Sequence, residues 1–337
     1  IETSCDDTSL ALLSGSEEGK LSRLIAHLSF SQASLMKKWG GVIPEVAARN
    51  HLAKLSPLLS EIFNQSQINP KDLDAVAVTT HPGLLGPLLT GLNMAKTLCL
   101  MYKIPLFSIN HLYAHLEAIH LSDNVDYPYI GVLVSGGHGL YALVKSPFEF
   151  HILGKTLDDA PGEAFDKGGK MLGLGYPAGH LIDQWAAQGD QSKYSFPVCL
   201  KNKPNFNLSF SGLKTSLRNF LERKKDFQSE LADICAGYQK AIIDALEFKL
   251  SLIIKKYDNL PIVVGGGVAC NSELRRRFLQ VFRRTYFVKR EFCTDNGAMI
   301  ANYALRTWKN AISFPQCLKV DARSRFLEKS HDIYTCQ

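Results

Sequence analysis

The stretch YIGVLVSGGHGLYALV, residues 129–144, decides the fold prediction. Two apolar runs of strand length, Tyr129–Val134 and Leu140–Val144, flank a turn of sequence Ser-Gly-Gly-His. Adjacent glycines form a tight turn and let backbone N–H groups reach phosphate oxygens without obstruction by side chains. The stretch therefore predicts a β-hairpin with a phosphate-binding turn, although turn formation alone also accounts for the glycines.

The residues that follow the hairpin predict the rest of an α/β lobe. Short apolar runs indicate strands, and an apolar period of about 3.6 residues indicates helices. In chain order the predicted elements are a strand at 150–153, helices at 164–172, 178–187 and 231–256, a strand at 261–264, a helix from near Asn271, a strand at 286–288 and a helix at 298–308.

The first half of the chain runs in the same order. It predicts strands at 1–4, 10–13 and 24–28, a helix that begins at Pro44, a strand at 75–78, a helix to about residue 102 and a strand at 106–109. We therefore predict two matching α/β lobes around a central cleft. The first lobe is residues 1–108, completed by 297–337, and the second is 109–296 with a largely helical insertion at about 155–257.

Two histidines lie shortly before the hairpin, in the sequence Asn-His-Leu-Tyr-Ala-His, residues 110–115. Positions i and i+4 share one face of a helix, so the imidazoles of His111 and His115 can bind the same divalent ion. The alternative is that both histidines form ordinary hydrogen bonds at the surface or in the core.

Two further turns are candidates for ligand contacts. Asp6 and Asp7 lie between the first two predicted strands, where carboxylates can approach a metal or phosphate but are also ordinary turn residues. Gly265–Gly267 follow a buried strand, and Asn271 then precedes a helix. Backbone without side chains can lie against a base or ribose, although a crowded strand–helix junction requires the same residue type.

Composition sets the limits on class and partners. The chain has 337 residues, 46% of them apolar, which is ample for about two domains. A net charge of +6 and clusters such as Arg275–Arg277 suit an anionic partner, or simply solvated helix faces. The eight cysteines include no C-x-x-C pair, so the sequence indicates neither a disulfide framework nor a thiolate zinc site. No apolar run reaches the ~20 residues of a membrane helix. Because the sequence opens without methionine and its first residues already predict a strand, we expect further residues upstream of Ile1.

The glycine turns, in this order on a duplicated lobe, resemble the actin-like ATPase superfamily, which includes sugar kinases and chaperone ATPases. Within it the chain is similar to the tRNA threonylcarbamoyladenosine transferase family, whose members were formerly called glycoproteases. The matching signatures span the chain: ETSCDD at 2–7, GGVIPE at 40–45, VSGGH at 134–138, GEAFDK at 162–167, SFSGLK at 209–214, GGGVACN at 265–271 and CTDNG at 293–297. The first of these resembles the bacterial and organellar branch, and the chain most resembles its fungal mitochondrial members.

The resemblance implies a reaction and its site. The family transfers the threonylcarbamoyl group of threonylcarbamoyl-AMP to the exocyclic amine of the adenosine next to the anticodon, in tRNAs that read A-starting codons. It implies one divalent metal ion, zinc or iron before manganese or magnesium, bound at His111, His115 and Asp295. It also implies adenylate contacts, with ATP or AMP as further ligands, at Leu133, Val134, Ser135, Gly136, Gly137, Asp166, Gly179, Asp183 and Asn271.

The resemblance also implies partners and a compartment. We expect tRNA, a separate synthase that supplies the adenylate, a homodimer and no membrane, in the mitochondrial matrix or alternatively the bacterial cytoplasm.

Asp6 or Asp7 is our candidate for positioning or deprotonating the attacking amine. Three other interpretations stay open: an ATP-hydrolysing or sugar-phosphorylating enzyme of the same fold, a metalloprotease, and a non-catalytic RNA-binding scaffold. The protease is less favoured than the ATPase or sugar kinase because no glutamate follows His111.

Overall fold

The computed structural model of the chain describes residues 1–16, 22–201, 203–224, 226–257 and 259–325. The chain divides into two compact units, Ile1–Leu121 with Asp295–Gln337 as unit 1 and Ser122–Thr294 as unit 2. Residues 326–337 of the predicted C-terminal segment lie outside the described residues. Within the described ranges, none of the helices combines the length and apolar composition that a membrane span requires.

The elements agree closely with the predicted order. The strands are β1 Asp7–Gly15, β2 Ser22–Ser31, β3 Val76–His81, β4 Leu106–Asn110, β5 Tyr129–Val134, β6 Gly139–Ser146, β7 Glu149–Lys155, β8 Ile262–Gly265 and β9 Thr285–Phe287. The α-helices are α1 Ala33–Met36, α2 Pro44–Ser66, α3 Leu85–Tyr102, α4 His111–Glu117, α5 Pro161–Met171, α6 Gly179–Ala186, α7 Ser211–Arg223, α8 Leu231–Lys256, α9 Ser272–Val281, α10 Arg290–Cys293 and α11 Gly297–Arg306. The helix α7 falls inside the predicted insertion, although the sequence pattern did not predict it separately.

Unit 2 is built on a five-stranded sheet of order β7-β6-β5-β8-β9. The strands β5 and β6 form the predicted antiparallel hairpin, with Val134 opposite Gly139. The strands β5, β8 and β9 are parallel. Because parallel strands end at the same edge of a sheet, the turn at Ser135 and the glycines after β8 lie at one edge, where α/β sheets bind ligands.

Unit 1 contains two two-stranded sheets, β1-β2 and β3-β4, and the first residues of the chain lie between them. The strands β1 and β2 are antiparallel, and β3 and β4 are parallel. Between the pairs, Glu2 bridges Ser9, the Ile1 amino group donates to Ala77 O at 2.8 Å, and Thr79 N donates to Ile1 O at 3.2 Å. The strand predicted over 1–4 is therefore only a short bridge. It ends because Ser4 N donates to the side chain of Glu2 rather than to a neighbouring strand.

The helix α4 packs within unit 1, although the sequence pattern placed residues 109–121 in the second lobe. Asn302 of α11 donates to the backbone oxygen of Glu117 at 2.9 Å. The Arg306 guanidinium lies 2.7 Å from the Glu117 carboxylate, which is fully buried. These contacts join α4 to α11, so the compact unit extends to Leu121 and resumes at Asp295.

Candidate functional site

The helix α4 holds both predicted histidines on one face. Asn110, the last residue of β4, caps the helix by accepting from the backbone N–H groups of Leu112 at 2.9 Å and Tyr113 at 3.3 Å. The imidazole rings of His111 and His115 have centroids 4.6 Å apart and are nearly perpendicular. Both side chains are buried, so this pair is not a surface feature.

Asp295 is brought to the histidines by the start of α11. Asn296 caps that helix through a 2.8 Å bond from Met299 N. Gly297 lies so close to β1 that a Cβ would be 2.7 Å from Ala11 N, which makes glycine necessary for this approach. The Asp295 Oδ1 atom is therefore 3.4 Å from His111 Nε2 and 3.1 Å from His115 Nε2.

The three donor atoms fit a divalent cation. One ligand atom from each of His111, His115 and Asp295 lies within 4.8 Å of the other two. Ligand atoms about 2.1 Å from a shared ion are roughly 3.0–3.6 Å apart in octahedral or tetrahedral sites, and both measured nitrogen–oxygen distances fall in that range. The buried Nδ1 atom of His115 has no hydrogen-bond partner among the described residues. Within the described residues, the hydrogen bonding of this ring is therefore confined to the contact of Nε2 with Asp295.

Glu2 is a member of this cluster that sequence reasoning missed. Its carboxylate is fully buried, and Oε2 lies 3.1 Å from His111 Nδ1, on the side of the ring opposite Asp295. The only signal in the sequence was its place within ETSCDD, because the contact joins residues 109 positions apart.

The charged groups in the cluster change one another's pKa. Burial alone would lower the pKa of His111, but the carboxylates of Asp295 and Glu2 raise it to about 10. Burial opposes ionisation of Asp295, yet the positive His111 holds the pKa of that carboxyl well below its usual range. The pKa of His115 is lowered, first by burial. A proton on His111 therefore offsets part of the negative charge of the two carboxylates, and a cation that binds Nε2 would replace that proton.

The buried side chain of His51 holds the Asp6–Asp7 turn through the residues on either side of it. His51 Nδ1 is 2.7 Å from Thr8 Oγ1 and His51 Nε2 is 2.9 Å from Cys5 O. Burial, and then the charge of Asp295, raises the pKa of Asp7 to about 7. Its Oδ1 atom is buried and has no hydrogen-bond partner within the described part of the chain. Asp7 thus has an accepting oxygen and a pKa near neutrality, as a general base requires.

The turn after β5 in unit 2 contains two glycines that packing does not explain. A Cβ at Gly136 or Gly137 would meet no atom within 4 Å, and neither residue has a left-handed φ. By contrast, a Cβ at Gly162, in the first turn of α5, would lie 2.7 Å from Ser135 O and 2.8 Å from Gly136 Cα. Gly162 is therefore needed for packing, whereas Gly136 and Gly137 keep an exposed turn open.

The other adenylate candidates also have structural roles. Asp166 accepts from Ala178 N at 2.7 Å, next to Gly179 at the start of α6. Asp183 accepts from both the backbone and the hydroxyl of Ser272 at 2.9 Å. Asn271 caps α9 and donates to Gln239 at 2.6 Å.

These three side chains connect α5, α6 and α9 in unit 2. The side chains of Leu133 and Val134 are buried within β5, so a ligand can reach only backbone groups of these two residues. Gly266, after β8, has φ +92° and a Cβ there would lie 2.4 Å from Val134 O. That glycine is required by packing and conformation.

Two sequence motifs have structural functions. In the SFSGLK motif, the hydroxyls of Ser209 and Ser211 donate to Asp158, outside the motif, at 2.5 and 2.7 Å, and these bonds hold the start of α7. In the cluster Arg275–Arg277, Arg275 donates to two backbone oxygens and Arg277 pairs with Asp244 and Glu247. The cluster therefore offers less free positive charge than its sequence indicates.

Comparison with solved structures shows which fold the chain has. Component A of (R)-2-hydroxyglutaryl-CoA dehydratase from Acidaminococcus fermentans superposes with a TM-score of 0.53 at 15% identity, over 90% of this chain and 94% of that one. The phosphate- and nucleotide-bound form of HypF gives a TM-score of 0.56 at 15% identity, over 92% of this chain and 47% of HypF. These likenesses confirm the predicted α/β fold of the actin-like ATPase type, and at this identity they show the fold alone.

Sequence comparison is more specific. A family model described as "tRNA N6-adenosine threonylcarbamoyltransferase" matches residues 23–302. The chain is 42% identical to the protein of that name from Thermotoga neapolitana, over 95% of this chain and 97% of the relative. It is 41% identical to the one from Francisella tularensis subsp. novicida, over 96% and 98%. The chain belongs to the tRNA N6-adenosine threonylcarbamoyltransferase family, as its signatures predicted.

Proposed function

We propose that the chain transfers the threonylcarbamoyl group of threonylcarbamoyl-AMP to the exocyclic amine of the adenosine next to the anticodon of tRNA. The amine nitrogen attacks the carbamoyl carbon, the bond from that carbon to the phosphate oxygen breaks, and AMP leaves. The observation that carries the proposal is the convergence of His111, His115 and Asp295 in a chain of this family. A metal ion at such a centre would stabilise the negative charge of the leaving group.

The metal ligands in this proposal are His111, His115 and Asp295. Two imidazoles and one carboxylate suit zinc or iron better than magnesium, which prefers oxygen ligands. A divalent ion bound there would offset the negative charge that develops on AMP as it leaves. The neutral imidazoles leave such an ion with net positive charge, because only one ligand is anionic.

We assign adenylate binding to the predicted residues of unit 2. Gly136 and Gly137 are open and exposed, so the backbone N–H groups of the turn can donate to phosphate oxygens. Asp183 and Asn271 hold the start of α9 in position, and their remaining lone pairs can accept from ribose hydroxyls or orient the nucleoside. Leu133, Val134, Ser135, Asp166 and Gly179 complete the predicted set.

Asp7 is our first candidate for the group that receives the amine proton. Its unpartnered oxygen and its pKa of about 7 support this role. Asp6 also has a raised pKa because of burial, but its neighbour has the larger shift. We therefore give Asp6 a positioning role in the same turn.

We further propose tRNA, an adenylate-forming synthase and a second copy of the chain as partners. The support for a homodimer is apolar exposure on α2 and α3: Leu52 is 71% and Leu85 49% exposed. The two helices are in contact next to these residues, since a Cβ at Gly86 would lie 3.2 Å from Ala48 Cβ. Exposed leucines on adjoining helices are typical of an association surface.

The compartment is a proposal with two alternatives. The mitochondrial matrix follows from the resemblance to fungal members of the family. The named relatives are bacterial, which agrees with the alternative of a bacterial cytoplasm. Detection of the tagged full-length protein in its own cells distinguishes them.

Reconstitution tests the reaction. The purified chain, metal-loaded, is mixed with an adenylate-forming synthase, labelled threonine, bicarbonate, ATP and unmodified tRNA, and label on the RNA is measured with and without the chain. We expect label on a single adenosine only when the chain is present. ATP hydrolysis by the chain alone, faster than RNA labelling, would instead support the ATPase or sugar-kinase alternative. Label that is absent from reactions with folded, metal-loaded protein would refute the proposal.

A further inference from the structure

The surroundings of Glu2 indicate a role beyond stabilising the fold. A fully buried carboxylate is costly unless charge and hydrogen bonds compensate it. Glu2 has three such contacts: Oε1 accepts from Ser4 N at 2.5 Å, while Oε2 accepts from Thr79 Oγ1 at 2.5 Å and lies 3.1 Å from His111 Nδ1. The hydrogen bonds from Ser4 N and Thr79 Oγ1 thus fix the position of the carboxylate independently of His111.

This carboxylate determines which nitrogen of His111 can bind an ion. An imidazole Nδ1–H that donates to Glu2 leaves the lone pair on Nε2. Nε2 is the atom that lies 3.4 Å from Asp295 and faces the metal centre. Ser4 Oγ, 3.2 Å from the same Nδ1, can share the proton but carries no charge.

The two histidines differ in this respect. The Nδ1 atom of His115 is buried and has no hydrogen-bond partner among the residues that the structure describes. Among the described residues, no carboxylate accepts from His115 Nδ1, whereas Glu2 is placed to accept from His111 Nδ1. The asymmetry indicates that His111 is the preorganised ligand and that His115 is held mainly by the centre itself.

We propose that Glu2 is a positioning residue for the metal centre, which fixes the Nε2 tautomer and the orientation of His111 and thereby raises the affinity for a divalent cation. The inference rests on the proposed metal ligands and not on the transfer reaction. Removal of a carboxylate behind a histidine ligand typically weakens metal binding by about 10- to 100-fold. The backbone of the bridge does not depend on the charge, because Glu2 N and O bond Ser9.

The test measures cobalt binding by the metal-free chain in competition with a chromophoric chelator. We expect Glu2→Gln, which keeps the shape of the side chain, to raise the dissociation constant for Co²⁺ by about 10- to 100-fold. The visible absorption bands of bound Co²⁺ should also shift, because the geometry at His111 changes. A purely structural role would change stability without changing the spectrum.

Two further variants keep the test decisive. Glu117→Gln removes another fully buried carboxylate on α4, which pairs with Arg306 and lies 3.9 Å from His120. It should reduce stability and leave the cobalt affinity unchanged. Thr79→Val removes the hydroxyl that holds Glu2 and should weaken cobalt binding less than Glu2→Gln does. It supplies the test if Glu2→Gln does not fold.

A folded Glu2→Gln variant with the affinity and spectrum of the unmodified chain would overturn the inference. If the unmodified chain itself binds no cobalt, the metal centre fails and the inference fails with it. If cobalt affinity depends on Glu2 while no label reaches tRNA, the inference stands and the proposed reaction is wrong.

Discussion

The glycine turn gives the most discriminating prediction. Gly136 in the turn and Gly162 beside it are both glycine, but packing requires only Gly162, whereas Gly136 leaves the turn open to a ligand. We consider Gly136→Ala in the turn after β5 and Gly162→Ala in the first turn of α5. A methyl group at 136 meets no atom within 4 Å, whereas one at 162 lies 2.7–2.9 Å from backbone atoms of Ser135 and Gly136. Backbone atoms cannot move aside as a flexible side chain can.

The stability effects follow from those distances. Gly136→Ala has no steric cost and restricts the unfolded chain, so we expect the free energy of unfolding to be unchanged or to rise by about 0.4–1 kcal/mol. Gly162→Ala overpacks the helix against the turn and should lower it by about 1–3 kcal/mol.

The two substitutions should also differ in their effect on AMP binding. If the turn binds phosphate through backbone N–H groups, a methyl at 136 lies where the ligand must approach. Loss of a hydrogen bond to a charged group costs about 1.5–3 kcal/mol, so AMP should bind roughly 10- to 100-fold more weakly. Gly162→Ala, where folded, should weaken AMP binding only as far as its methyl group displaces the backbone of the turn, because that methyl does not cover the exposed side of Gly136.

Urea unfolding and calorimetric titration with AMP measure both quantities on the same samples. Gly137→Ala is a second variant of the first kind, since its Cβ is equally unobstructed. A Gly136→Ala protein that is as stable as predicted but binds AMP with unaltered affinity would refute the phosphate role of the turn. The glycines would then be ordinary turn residues.

Three further predictions concern unit 1. A general base acts when deprotonated, and burial raises the pKa of Asp7 to about 7, so the transfer rate should rise with pH through neutrality; Asp7→Asn should be slow at every pH, and an unchanged profile would exclude the role. Arg306→Leu leaves the buried Glu117 without its guanidinium and should cost about 3 kcal/mol of unfolding free energy in urea; a loss well below about 1 kcal/mol would show that the pair does not hold α4. Leu52→Glu should convert the dimer to a monomer in sedimentation, whereas Leu279→Glu, on another exposed leucine in unit 2, should not.

Local patterns predicted most of the secondary structure. The hairpin around the Ser-Gly-Gly-His turn and the helix that begins at Pro44 depend on apolar period and turn chemistry within a few residues. The strand over 1–4 was wrong in extent because a side-chain carboxylate, rather than a neighbouring strand, receives Ser4 N. Leu52 fits the apolar period of α2, yet it is exposed, since period alone does not say which apolar residues face the core.

The grouping of the candidate metal ligands was predictable only where their spacing along the chain determines it. His111 and His115 converge because a helix places them on one face, which the sequence shows. Asp295 joins them through a contact across 180 residues, and only the family resemblance indicated it. Glu2 was missed because its role depends on a bridge between strands that have no sequence signature.

The same limit applies to charge. Arg275 and Arg277 looked like a basic patch, but carbonyl and carboxylate groups from other elements bind their guanidinium groups. A charge cluster in sequence therefore does not establish a charged surface.

The most direct test of the account is a metal titration of the transfer reaction. The chain is stripped of metal with a chelator and dialysed, and Co²⁺ or Zn²⁺ is added stepwise while the rate of threonylcarbamoyl transfer to tRNA is measured. We predict a negligible rate without metal that rises and saturates at a single ion per chain, and an Asp295→Ala protein that neither binds that ion nor regains activity. A metal-free chain that modifies tRNA at the full rate would contradict the account.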